Sequence, residues 1–157
     1  MKNCKNTDKI LSYIENELNE SDKIFKNFMS NEYKNLISSS KESLFTPFTI
    51  KNKIYNPLKK NRKCILIIFD CLRADQWKTM SNNLYNDFKI STDYQLSIIP
   101  STTFYSRNSI FSGYFPIDLY NNHRELYTKM SSSESEYNRH EHELLKNQLN
   151  RLGLGDK

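Results

Sequence analysis

Residues 63–75 have the sequence Lys63-Cys-Ile-Leu-Ile-Ile-Phe-Asp70-Cys-Leu-Arg73-Ala-Asp75, and this stretch decides the predicted fold. Residues 64–69 are all apolar and do not alternate with polar ones, a pattern typical of a strand buried on both faces of a mostly parallel sheet. Asp70 then stands at the carboxyl end of the predicted strand, where open α/β sheets bind ligands. The pattern predicts that Asp70 holds a metal or a polar substrate. The local sequence is equally consistent with an Asp that caps the next helix.

A second informative stretch is Ile99-Pro-Ser-Thr-Thr103-Phe-Tyr-Ser-Arg107. It follows a short strand-like run over residues 94–99 that Pro100 ends, and it opens a predicted helix over residues 104–112 closed by Gly113. Apolar residues at helical spacing between the two predicted strands indicate a covering helix. Strand, helix, strand and helix in succession predict an α/β unit with a right-handed crossover.

The hydroxyl groups at the start of this helix suggest phosphate chemistry. Thr103 and Arg107 are four residues apart and hence on one helix face, with Ser106 beside them. A helix N-terminus offers free N–H groups and the positive end of the macrodipole to an anion. A metal held by Asp70 would lower the pKa of a threonine hydroxyl and make it a nucleophile. The alternative is structural: Ser101 or Thr102 caps the helix, and Arg107 pairs with an acid.

Residues 63–116 resemble the PglZ domain of the alkaline phosphatase superfamily, most closely the phosphatase half of the PorX-type response regulators of Bacteroidetes. The resemblance rests on the order and spacing of three segments, which are Ile67-Ile-Phe-Asp70-Cys-Leu-Arg73-Ala-Asp75-Gln-Trp77, Ile99-Pro-Ser-Thr-Thr-Phe-Tyr-Ser-Arg107-Asn108 and Ile110-Phe-Ser-Gly113-Tyr-Phe-Pro116.

The resemblance implies a role for each candidate residue. Asp70 matches a metal ligand, and Thr103 matches the metal-bound nucleophile, with Thr102 as the alternative. The intact family domain would hold two zinc ions and hydrolyse phosphoesters, with nucleotide phosphodiesters as the expected class. Related nucleotide phosphodiesterases use an Asn three positions after the nucleophile, where this chain has Ser106. Arg107 is therefore the better candidate for phosphate binding.

The resemblance also implies a domain organisation. We expect a partial three-layer α/β/α fold over residues 59–157, the amino-terminal part of a PglZ domain, preceded by a helical segment and connection over residues 1–58. Two departures from the family stand out: residues before Lys63 show no receiver-domain pattern, and the superfamily's later Asp and His metal ligands find no match. We therefore expect a hydrolase that is incomplete in this chain. The alternative is a non-catalytic signalling or interaction module derived from a PglZ domain. A second copy or a missing C-terminal half is the expected protein partner.

Composition limits the other classes of function. The net charge of +5 comes from 23 Lys and Arg against 18 Asp and Glu. The one dense basic cluster, Lys59-Lys60-Asn61-Arg62-Lys63, is expected to be a solvated linker, so nucleic acid is not an expected partner. Three cysteines leave one unpaired in any disulfide scheme, which favours a reducing compartment and a cytoplasmic location. No apolar run reaches the ~20 residues of a membrane span.

Two further helical regions are predicted at the ends of the chain. Apolar residues at helical spacing predict one or two helices over residues 7–38, and a polar helix is expected over residues 137–152, ended by Gly153. The sequence His140-Glu-His142-Glu143 lacks the spacing of a helical zinc site. It is interpreted as a solvated charged face.

Overall fold

The structure, a computed structural model, describes residues 4–39 and 44–155, with side chains from residue 7 onward. The α-helices in the described residues are α1 (Cys4–Asn31), α2 (Tyr33–Ser38), α3 (Tyr55–Lys59), α4 (Ala74–Ser81), α5 (Thr103–Ser112), α6 (Pro116–Asn122), α7 (Arg124–Met130) and α8 (Glu141–Arg151). Short 3₁₀ helices occupy Thr46–Phe48 and Glu134–Glu136, and a π-helical turn occupies Ile50–Ile54.

The chain divides into two compact units, Met1–Lys41 and Glu42–Lys157. The described part of the first unit consists of α1 and α2, which confirms the helices predicted over residues 7–38. Phe28 of α1 stacks edge-on against Tyr33 of α2, with ring centroids 6.0 Å apart. Much of the apolar stripe of α1 is exposed, including Ile10, Leu18 and Ile24.

The second unit has its core between the last four helices. Leu119 of α6, Leu126 and Met130 of α7, and Leu144 of α8 form a buried cluster, and Phe104 of α5 packs against it. The rings of Phe104 and Tyr127 meet edge-on, with centroids 5.5 Å apart. The core therefore holds α5 against α8, and this packing fixes the surroundings of the candidate site.

The predicted α/β sandwich with a mostly parallel sheet is wrong. The described residues contain no strand, and their one β-type pairing is an isolated parallel bridge between Phe45 and Leu96. Residues 64–69, the predicted buried strand, have irregular backbone with no backbone–backbone hydrogen bond in the described part of the chain. Ile65 is 86% exposed and Ile67 is 65% exposed.

Residues 64–69 form no strand because a strand requires hydrogen bonds to an adjacent strand. An apolar run indicates that a segment is suited to a buried sheet, but each backbone N–H and C=O must also find a partner on an adjacent strand. Leu96 finds such partners in part, since its N–H donates to Leu44 at 2.7 Å and its carbonyl accepts from Thr46 at 3.0 Å. Within residues 4–39 and 44–155, no comparable pairing reaches residues 64–69.

The helix predicted from the second stretch is confirmed. Helix α5 begins at Thr103 and ends at Ser112, and Gly113 follows with φ of 69°, the left-handed conformation that closes many helices. No helix within residues 4–39 or 44–155 combines the length and apolar composition needed to cross a bilayer.

Candidate functional site

Asp70 and Thr103, which are 33 residues apart in sequence, lie side by side. The Thr103 hydroxyl donates a long hydrogen bond of 3.4 Å to Asp70 Oδ2. The Asp70 side chain is 44% exposed, so a solute can reach the pair from solvent. The structure thus brings together the two residues that were predicted to share a metal, although neither lies at the end of a strand.

Local backbone geometry explains the position of each group. Thr102 has extended backbone angles, φ −69° and ψ 150°, and the chain turns into α5 at Thr103. The Thr103 side chain therefore stands in the first turn of the helix, where backbone N–H groups lack partners within the helix. Asp70 precedes Cys71, which has φ of 59°, a value that non-glycine residues rarely adopt. The Cys71 thiol lies 3.6 Å from Asp70 Oδ1.

Arg107 lies one turn further along α5 and contacts both the pair and a second acid. Its Nη1 lies 3.9 Å from Asp70 Oδ2. Its Nη2 donates to Glu141 Oε2 at 2.7 Å, and its Nε lies 2.7 Å from Glu141 Oε1 without hydrogen-bond alignment. The guanidinium thus lies between the carboxylates of Asp70 and Glu141.

The other predicted residues do not join this cluster. The Ser106 hydroxyl lies 3.3 Å from the Ser97 hydroxyl. Thr102 precedes the helix, and its side chain makes no capping hydrogen bond. Of the candidates, Asp70, Thr103 and Arg107 are therefore the ones that the structure groups together.

The helix after Asp70 is capped without it. The backbone N–H of Arg73 donates to Gln76 Oε1 at 3.0 Å, at the start of α4. Arg73 also donates to both carboxylate oxygens of Asp75, at 3.0 and 2.5 Å. This hydrogen-bonded guanidinium lowers the pKa of Asp75 below its usual range. Asp70 is therefore left for the contact with Thr103, and the capping alternative does not hold.

A family comparison bears on these residues. A sequence model of the BREX system PglZ alkaline phosphatase-like domain matches residues 49–154, more than half of the chain. The chain belongs to the PglZ domain family. No curated protein matches it. The matched range includes Asp70, Thr103, Arg107 and Glu141, so the whole cluster lies within the PglZ domain.

The resemblance to the alkaline phosphatase superfamily implies zinc, and the geometry of Asp70 and Thr103 can be compared with that of two zinc ligands. Two oxygens bound to one tetrahedral zinc at ~2.1 Å lie about 3.4 Å apart, which is the separation of Thr103 Oγ1 and Asp70 Oδ2. In the described part of the PglZ domain, no group of three or more His, Cys, Asp or Glu is placed to hold a metal. The pair can supply two ligands, and other groups must complete the coordination.

A cavity of about 450 Å³ lies at the opposite end of α5. Gly113, Tyr114 and Arg151 line it, and Thr103 is separated from it by the ~15 Å length of a ten-residue helix. Arg151 stacks on the Tyr114 ring at 4.0 Å and donates to the carbonyl of Ser112 at 2.6 Å. These contacts close the C-terminal end of α5, so the cavity does not belong to the cluster at Thr103.

Sequence reasoning missed two residues that support the site. Glu141 was assigned to a solvated charged face, yet its side chain is only 15% exposed and is paired with Arg107. Asn108 is buried next to Arg107. Asn108 could have been predicted to be buried, because it lies four residues after Phe104 and hence on the core side of α5. The local sequence around Glu141 gives no indication that it pairs with Arg107, 34 residues earlier.

Proposed function

We propose that this PglZ domain carries the nucleophile part of a zinc-dependent phosphoester hydrolase site, with Thr103 as nucleophile and Asp70 as metal ligand. The observation that carries the proposal is the approach of Thr103 Oγ1 to Asp70 Oδ2 at 3.4 Å, in the first turn of α5. The family match places the chain among alkaline phosphatase-like domains. Phosphodiesters, including nucleotides, are the proposed substrate class because of the resemblance to PorX-type proteins.

Each residue has a separate task in this proposal. Zinc, when bound, would lower the pKa of the Thr103 hydroxyl and so favour the alkoxide. Thr103 Oγ1 would then attack phosphorus as the bond to one ester oxygen breaks, and that oxygen leaves with a proton from solvent. The product on Thr103 is a phosphodiester that still carries the second ester group, and water would hydrolyse it to a phosphomonoester and free Thr103. Arg107, one turn away on α5, binds the equatorial phosphoryl oxygens and offsets their charge. The free N–H groups of the first helical turn favour the same anion.

The hydrolytic activity of this chain alone should be weak. Two-metal phosphoryl transfer needs ions about 4 Å apart, held by several protein groups. Asp70 and Thr103 are the only ligands that we assign in this chain. The same shortage favours a second candidate function, a non-catalytic signalling or interaction module that keeps the PglZ architecture around α5 without a working metal pair.

The test is turnover of a chromogenic phosphodiester by purified, zinc-loaded chain. We expect slow zinc-dependent hydrolysis that Thr103→Ala abolishes. Thr79→Ala is the matched control, because Thr79 is an exposed threonine of α4 whose hydroxyl donates to the carbonyl of Asp75 in its own helix at 3.1 Å. Thr103→Ser keeps a hydroxyl and should retain part of the activity.

Each alternative outcome has a distinct meaning. Hydrolysis that survives Thr103→Ala places the nucleophile elsewhere, with Thr102→Ala as the next variant to measure. Absence of zinc-dependent turnover in the unmodified chain favours the non-catalytic module. Fast turnover that depends on Thr103, and whose rate per mole of protein rises with protein concentration, would indicate that a second copy supplies the remaining ligands.

A further inference from the structure

We propose that Glu141 is a positioning residue that orients the Arg107 guanidinium toward Thr103. The inference rests on the proposed function, since it takes Arg107 to be the group that binds phosphate. It adds a residue from α8 to a site that the motifs alone place around α5.

The contacts of Arg107 divide between two sides of its guanidinium. Glu141 occupies the side formed by Nε and Nη2, with both N to O distances at 2.7 Å. The opposite nitrogen, Nη1, is the one that lies 3.9 Å from Asp70 Oδ2. Because a guanidinium is planar and rigid, an acid that holds one side also sets the direction of the other. Glu141 thus directs the Nη1 side toward the carboxylate that neighbours the Thr103 hydroxyl.

Burial makes this pair more persistent than the surface pairs of the same chain. The side chains of Arg107 and Glu141 are 30% and 15% exposed. Those of Lys23 and Glu20, an ion pair on α1, are 69% and 64% exposed, where solvent and salt screen the attraction. Glu141 is the first residue of α8, the helix that packs against α5. Its carboxylate is therefore carried by a packed element.

The structural alternative is that the pair only holds α5 against α8. In that case its loss lowers the stability of the domain and leaves the affinity for anions unchanged below the unfolding temperature. A positioning role predicts a change in the affinity for anions in place of a change in stability alone. Loss of Glu141 then weakens anion binding in folded protein, and it does so only while Arg107 is present.

The test measures binding of inorganic phosphate to the full chain by isothermal titration calorimetry. Glu141→Gln keeps the size of the side chain and one acceptor oxygen but removes the negative charge that pairs with Arg107. We expect its phosphate dissociation constant to rise about fivefold, the scale of losing one ordered side chain at a binding site. Glu143→Gln is the matched control, since Glu143 lies on the same helix and its side chain is 57% exposed. It should change the constant by less than about twofold.

A double-mutant cycle separates positioning from stability. In the Arg107→Gln background, Glu141→Gln should cause no further loss of phosphate affinity, because the group that it positions is gone. Thermal melting of each variant establishes that binding is measured on folded protein. If Glu141→Gln unfolds the chain at the measuring temperature, Glu141→Asp, which keeps the charge on a shorter side chain, is compared in its place.

Three results would overturn the inference. Phosphate affinity equal to or higher than that of the unmodified chain in Glu141→Gln would make Glu141 a structural partner or a competitor for Arg107. An equal loss in the Arg107→Gln background would remove the link to Arg107. An unmodified chain that binds no phosphate would remove the anion role of Arg107. Hydrolysis that fails while phosphate binding depends on both residues would refute the Thr103 chemistry alone.

Discussion

Asn108 and Tyr137 are joined by a partly buried hydrogen bond that ties the middle of α5 to the segment before α8. Asn108 Nδ2 donates to the carbonyl of Tyr137 at 2.8 Å and to the carbonyl of Phe104 at 2.8 Å. The Asn108 residue is 1% exposed. Because Arg107 is the residue next to Asn108 and Glu141 lies four residues after Tyr137, this bond supports the same contact between α5 and α8.

Replacement of Asn108 should therefore destabilise the second unit. Asn108→Ala leaves the partly buried Tyr137 carbonyl without this donor, which should lower the free energy of unfolding by about 1–3 kcal/mol. Asn108→Asp should lower it further, since a carboxylate would face two carbonyl oxygens in a buried place. The measurement is urea unfolding followed by circular dichroism. Asn121→Asp, at an exposed position of α6, should stay within about 0.5 kcal/mol. Equal stability of the Asn108 and Asn121 variants would contradict the bridge.

Gly113 and Gly153 offer a matched pair of substitutions. Both have positive φ, 69° and 72°. A Cβ at Gly153 meets nothing within 4 Å, whereas a Cβ at Gly113 would overlap the amide of buried Gln148 and come within 2.9 Å of Arg151 Nη2. Gly153→Ala should cost about 1–2 kcal/mol of backbone strain. Gly113→Ala should cost about 1–3 kcal/mol more through overpacking.

Thermal or chemical unfolding of the two alanine variants checks this difference directly. Both variants carry the same backbone penalty, so the comparison isolates the crowding at Gln148. If Gly113→Ala loses no more stability than Gly153→Ala, the close packing between α8 and the end of α5 is not as the structure has it.

The boundaries of α5 could be predicted from sequence because helix ends are encoded locally. Hydroxyl residues before Phe104 and a glycine at 113 give the start and the stop within one residue of what the structure shows. The strand over residues 64–69 could not be judged in the same way. Its apolar pattern describes what the segment is suited to, and the pairing that makes a strand depends on residues elsewhere in the chain.

Zinc binding should be weak and should depend on Asp70. Two protein ligands leave most of the coordination sphere to water, and the Arg107 guanidinium 3.9 Å from Asp70 Oδ2 opposes a second cation. We expect one low-affinity site by calorimetry, lost in Asp70→Asn and weakened in Thr103→Ala. Asp75→Asn is the control, because Asp75 is already paired with Arg73. Affinity that is unchanged in Asp70→Asn would place the ion elsewhere.

Tyr127 should make the second unit sensitive to alkaline pH. Burial, followed by the neighbouring Tyr105 phenol, raises the pKa of Tyr127 above its usual value of 10.0. A raised pKa in the folded state means that stability is full below the unfolded-state pKa and falls as pH rises toward the folded-state pKa. Tyr127→Phe keeps the ring that packs on Phe104 and removes the ionisation.

The comparison is the urea midpoint at neutral pH and near pH 11 for both proteins. We expect the Tyr127→Phe variant to lose less stability between the two than the unmodified chain. Tyr85→Phe, at an exposed position, is the control and should behave like the unmodified chain. Identical pH dependence in all three proteins would mean that the pKa of Tyr127 is the same in the folded and the unfolded state.

In the candidate site, too, the residues within local motifs could be predicted, whereas a residue brought in by tertiary packing could not. The motif spacing and the family resemblance predicted that Asp70 and Thr103 lie close together. The structure has them 3.4 Å apart, although the sheet expected to carry them is absent from the described residues. Glu141 stands among charged neighbours, and its exposed neighbours His142 and Glu143 fit the predicted solvated face. Only the packing of α8 on α5 turns this one acid inward. The sequence of a charged segment does not indicate which of its residues will be buried against a distant helix.

Residues 64–69 present a mostly exposed apolar segment that we expect to promote association between molecules. The segment is rich in isoleucine, lacks proline and glycine, and leaves its backbone groups open, which are the features of aggregation-prone sequences. Lys63 and Asp70 flank it as the nearest charged gatekeepers. The same segment on two molecules can therefore pair edge to edge without any unfolding. We therefore expect self-association through this segment to increase with protein concentration.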